Sequence, residues 1–122
     1  MMAVEKAGAL LLQKMTEGLT DAGRELVFKS ALKLKPKSEE ATLTCTMEQA
    51  RAALESCGVL LPDDTEADET VGFIMAGFQD KNPAVVELCE DGGEIRARAT
   101  AKEGVIPQST AKKALDKLRA AL

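Results

Sequence analysis

The chain contains no histidine, tryptophan or tyrosine, and its only aromatics are Phe28, Phe73 and Phe78. Without histidine the commonest general base and metal ligand is missing, so neither a Ser–His nor a Cys–His nucleophile pair can be assembled. So few aromatics speak against a base-stacking platform for single-stranded nucleic acid. Cysteine is sparse as well. Cys45, Cys57 and Cys89 are widely spaced, form no C-x-x-C pair and are odd in number. That pattern reads as reduced thiols filling small core positions in a cytoplasmic protein. Long hydrophobic runs are also absent, and Ala9-Leu10-Leu11-Leu12 is too short to cross a bilayer. The N-terminus does not read as a signal peptide, because Glu5 and Lys6 interrupt it and its apolar residues have helical spacing.

What is present suits one domain. The chain has 122 residues, 45% apolar and 30% charged, enough for a core without disulfide or metal staples. The net charge of −4 is unevenly spread. Residues 23–38 carry net +4, residues 39–91 net −11, and residues 92–122 net +4. The acidic total argues against bulk attraction to nucleic acid or an anionic membrane. Segregation of this kind instead leaves a local basic patch if the two positive segments share a face.

Hydrophobic periodicity organises the chain. Val4, Ala7, Leu11, Leu12, Met15 and Leu19 form one stripe at helical spacing, predicting a helix from Met2 to about Asp21 with Gly23 as its C-cap. Leu10 falls off that stripe and is free to touch a partner. ELVFKSALKLK, residues 25–35, alternates as a half-buried strand with a lysine-rich outer face. KPKSEE then reads as a loop around Pro36, and Ala41–Cys45 as the returning strand. Thr46-Met-Glu-Gln49 is a capping box opening a second helix, striped by Met47, Ala50, Leu54, Cys57 and Leu61 and stopped by Pro62. A further capping box, Thr65-Glu-Ala-Asp68, predicts a third helix reaching about Phe78, with a buried strand over Val71–Met75 as the alternative. Asp80-Lys-Asn-Pro83 reads as a turn. Ala84–Cys89 and Glu94–Thr100 read as a hairpin turning at Asp91-Gly92-Gly93, and Ser109–Leu122 as a closing helix capped by Ser109 or Thr110.

The expected fold is therefore α+β, with a four-stranded, mainly antiparallel sheet of two hairpins and about four helices on one face, in the order α-β-β-α-α-β-β-α. That order suggests an internal duplication of residues 1–61 and 64–122 within a single domain. QARAALESCGVLL (49–61) aligns without gaps to TAKKALDKLRAAL (110–122).

Candidate chemistry is thin. The acids Asp63, Asp64, Glu66, Asp68 and Glu69 lack EF-hand spacing and are explained by helix capping, so no metal is expected. GFIMAG, residues 72–77, lacks the Lys-Ser/Thr of a phosphate loop. No buried carboxylate pair is marked, and neither an enzyme nor a cofactor is expected. The segment GVIPQSTAKKALDKL, residues 104–118, resembles the recognition segment of winged-helix repressors of the GntR type through Gly104, Val105, Ser109, Thr110, Ala114, Leu115 and Leu118. That resemblance implies DNA contacts from Ser109, Thr110, Lys112 and Lys113. EIRARAT alternates like a strand where such a motif needs its first helix. The favoured expectation is thus a small non-catalytic interaction protein in the cytoplasm, such as an adaptor, assembly factor or secretion-chaperone-like homo-oligomer. A small DNA-binding regulator is the second reading. No membrane partner is expected. The candidate surface comprises Lys29, Lys33, Lys35, Arg96, Arg98, Lys112, Lys113, Lys117, Arg119 and Leu10.

Overall fold

The computed structural model describes residues 4–23, 25–26, 36–61, 69–80, 82–102 and 109–122. The fold is α+β. Helix α1 runs Val4–Met15. A short helix, α2, includes residues 21–23, 25 and 26. Helices α3 (Met47–Cys57) and α4 (Thr110–Ala120) follow. The strands are β1 (Pro36–Leu43), β2 (Val59–Leu60), β3 (Glu69–Ala76), β4 (Asn82–Asp91) and β5 (Glu94–Lys102). They form one antiparallel sheet of five strands in the order β1-β5-β4-β3-β2.

This differs from the expected sheet in size, order and cover. Glu25 and Leu26 are helical, not extended, and the remainder of the expected strand, residues 27–35, lies outside the described residues. The stretch read as a loop around Pro36 is the body of β1, which pairs along its length with β5. An edge strand tolerates both a leading proline and the charges of Lys37, Glu39 and Glu40. The third helix is β3, the strand alternative. Its Val71, Phe73 and Ile74 are all buried because helices cover both faces of the sheet. On one face α3 and α4 pack against Ile74, Val86, Leu88, Ile95 and Ala97. On the other, Ala7 and Leu11 of α1 pack against Val71, Phe73 and Val85.

Local signals explain the joints. Helix α1 stops at Met15, short of the expected Asp21, and the turn that follows it places Gly18, rather than Gly23, at a positive φ of 77°. Gly23 N–H instead donates to Thr20 Oγ1 at 3.2 Å, at the start of α2. The capping box at α3 forms as read. Gln49 N–H donates to Thr46 Oγ1 at 3.1 Å, and Thr46 N–H donates to Gln49 Oε1 at 3.0 Å. Helix α3 ends at Cys57, before Pro62, because Gly58 passes so close to β3 that a Cβ there would collide with the Phe73 carbonyl oxygen. The β4–β5 turn is the expected one, with Gly92 and Gly93 at φ 59° and 85°. The capping box expected at Thr65–Asp68 lies outside the described residues.

Candidate interaction surface

Those of the residues expected to form one basic surface that are described are dispersed. Lys29, Lys33 and Lys35 lie outside the described residues. Arg96 and Arg98 share a face of β5, yet their settings differ. The Arg98 side chain is 13% exposed and its Nε donates at 3.0 Å to Glu87 Oε1 on β4, whose side chain is 4% exposed. Arg98 is thus an interior ion-pair member and not a surface cation. Arg96 is exposed and lies 3.7 Å from Glu40 and 3.9 Å from Asp91. Leu10, expected to be free for a partner, is half-buried against the α1-side core.

Helix α4 is anchored by position rather than by a conventional cap. Ser109 occupies the N-cap with φ 53° and makes no side-chain capping bond. Thr110 is fully buried, and its Oγ1 accepts from Asn82 Nδ2 at 2.9 Å. The same amide donates to the Lys102 carbonyl at 3.0 Å, tying the start of α4 to β4 and the end of β5. Ala111, Ala114, Leu115 and Leu118 reach the core as expected, whereas Leu122 remains 51% exposed.

Lys117 serves the sheet. Leu61 N–H donates to the Val71 carbonyl at 2.8 Å, so the odd-numbered residues of β3 turn their backbone groups toward β2. Met75 has that parity but lies beyond the end of β2, and Lys117 Nζ donates to its carbonyl at 2.8 Å while pairing with Asp80 at 2.7 Å. Lys112 pairs with Asp116 at 3.0 Å. Lys113 and Arg119 remain exposed.

Sequence reasoning missed the concave feature beside α4. A groove of about 430 Å³ lies between α3, the end of α4 and the chain after β1. Thr44, Cys45, Gln49, Ala52, Ala53, Ser56, Ala121 and Leu122 line it. The small residues Ala52 and Ser56, off the core stripe of α3, were its signal in sequence. Cys45 is its one titratable side chain. Burial pushes the Cys57 thiol, half-buried against the core beneath α3 and α4, above its ordinary pKa of 9.0, against smaller lowering effects from a backbone hydrogen bond and Lys117. This raised value describes a packed, protonated thiol rather than an activated nucleophile.

Among the described residues no group of three or more Cys, Asp or Glu side chains is placed to hold a metal ion. No described helix is long and apolar enough to cross a membrane. The segment from Glu94 to Lys102 is strand β5, paired on both sides, so the helix-turn-helix implied by the repressor resemblance lacks its first helix. No family model, curated protein or solved structure shows significant similarity to this chain.

Proposed function

We propose that this chain is a small non-catalytic protein-interaction module that binds through its α3–α4 layer. The α3–α4 groove carries this reading. Its lining is small and largely apolar or neutral, suited to accepting a side chain and without an acid–base pair to transform one. Three free, half-buried thiols suit a reducing compartment, in keeping with a cytoplasmic adaptor or assembly factor. Recognition of DNA by α4 has weaker support, since Lys117 is committed to Met75 and Asp80 and Lys112 to Asp116.

The test is a bulky charge on the groove rim. Ala52 is exposed, so Ala52→Arg should leave the circular dichroism spectrum and melting curve unchanged. Amine-directed cross-linking in cell extract should give discrete adducts with the wild type that Ala52→Arg loses. Identical adduct patterns for the two proteins would refute the assignment of this face.

A further inference from the structure

Resting on that reading, we propose that the partner seated on the α3–α4 face is a second copy of this chain, related by a two-fold axis that lays α3 of each copy on α4 of the other. Helices α3 and α4 offer charges of opposite sign to solvent. On α3, Arg51 is turned aside, its Nε and Nη2 donating to Thr70 Oγ1 at 3.2 and 3.1 Å. Glu48 and Glu55 are exposed and have no ion-pair partner among the described residues. On α4, Lys112 and Asp116 satisfy each other and Lys117 is held by Asp80. Lys113 and Arg119 are exposed and likewise have no ion-pair partner among the described residues. Apart from Arg51, whose guanidinium is bound to the neutral Thr70 hydroxyl, the unpaired charges are therefore acidic on α3 and basic on α4, on helices that pack side by side on one face of the sheet.

A face of one sign would repel its own copy. A face divided into an acidic half and a basic half becomes complementary to itself after a two-fold rotation, when the acidic half of each copy meets the basic half of the other. The groove supplies the apolar part. Ala52, Ala53, Ser56 and Ala121 line the hollow together with Leu122, which is 51% exposed. Hollow and exposed leucine lie on one patch, as an isologous contact requires, so that in the proposed dimer Leu122 of each copy packs on the hollow of the other. Surface ion pairs contribute little affinity on their own, so the apolar seam supplies most of the binding and the charges set the orientation.

Reciprocal charge reversal on the full chain, read by sedimentation velocity, decides the matter. One variant carries Glu48→Lys with Glu55→Lys, the other Lys113→Glu with Arg119→Glu. All four positions are exposed, and circular dichroism checks that both variants fold. The wild type should sediment as a dimer whose dissociation constant rises with salt. Each variant alone should dimerise at least about tenfold more weakly, because both halves of its interface then meet like charges. An equimolar mixture should recover the dimer, because opposite charges then meet at both contacts: the reversed, basic α3 of one variant faces the reversed, acidic α4 of the other, and the unaltered acidic α3 of the second faces the unaltered basic α4 of the first. A monomeric wild type, variants that dimerise as well as the wild type, or a mixture that stays monomeric would overturn the second-copy assignment. A monomeric wild type whose adducts with another protein still vanish on Ala52→Arg would leave the interaction-module reading standing. If those adducts persist as well, both readings fall.

Discussion

Arg96 and Arg98 look interchangeable in sequence, two arginines on the same side of an alternating strand. Their costs of removal should differ severalfold. Arg98 shares an interior ion pair with Glu87, so Arg98→Leu leaves a buried carboxylate uncompensated and should cost about 3–5 kcal/mol in urea unfolding. The exposed Arg96, with only long contacts to Glu40 and Asp91, should tolerate the same change within about 0.5 kcal/mol. Alternation names the face of a strand, but the depth of a position along that strand depends on what packs above it, and sequence does not carry that. The Cys57 thiol couples stability to alkaline pH. Burial raises its folded pKa above 9.0, so between that value and the folded pKa the native state holds a proton that the unfolded state has released. Stability due to this thiol is complete below about pH 9 and falls as pH rises further. Urea unfolding of the wild type and Cys57→Ala across that range should show a steeper alkaline loss in the wild type.

The helix starts make a matched pair. At α3 the sequence signal is literal, with Thr46 and Gln49 each satisfying the other's backbone N–H, and Thr46→Ala should cost about 1 kcal/mol. At α4 the same kind of signal misleads. Ser109 makes no capping bond and sits in the left-handed region, where a side chain is strained. Ser109→Gly should therefore stabilise the protein by about 0.5–1 kcal/mol, measured by thermal or urea unfolding, and loss of stability instead would show that the hydroxyl caps the helix after all. Its neighbour Thr110 is tied instead to a distant element, its buried hydroxyl accepting from Asn82, a residue 28 positions away. Elements whose determinants are local were legible: the α3 cap, the Gly92-Gly93 hairpin and the core stripe of α4. Elements set by distant neighbours were not. ETVGFIMA fits a helical stripe and a doubly covered strand equally well, and only the helices on both faces of the sheet decide between them. PKSEEATL has no strand pattern of its own, and β5 holds it at the edge. The groove needed α4 brought against α3, so in sequence it showed only as small residues on the outer side of a helix.

At the scale of the whole molecule the sheet separates two cores of unequal size. The larger, beneath α3 and α4, draws on β1, β3, β4 and β5. The smaller joins Ala7 and Leu11 of α1 to Val71, Phe73 and Val85, with Lys14 Nζ lying 5.8 Å from the Phe73 ring centroid. Leu11 and Leu118 are both fully buried, so truncating either to alanine removes a similar side chain and should cost about 2–5 kcal/mol locally. The consequences should nevertheless spread differently. Leu118 belongs to the core shared by four strands, and Leu118→Ala should lower the hydrogen-exchange protection of β4, β5 and α4 together. Leu11 anchors one helix to the opposite face, and α1 can lift away without breaking any pairing within the sheet. Leu11→Ala should therefore collapse protection in α1 while β4 and β5 keep most of theirs. The two cores would then open as separate cooperative units. Equal loss throughout the sheet in Leu11→Ala would instead make α1 part of the global unfolding unit, with Val85 and Phe73 transmitting its loss across the strands to the larger core.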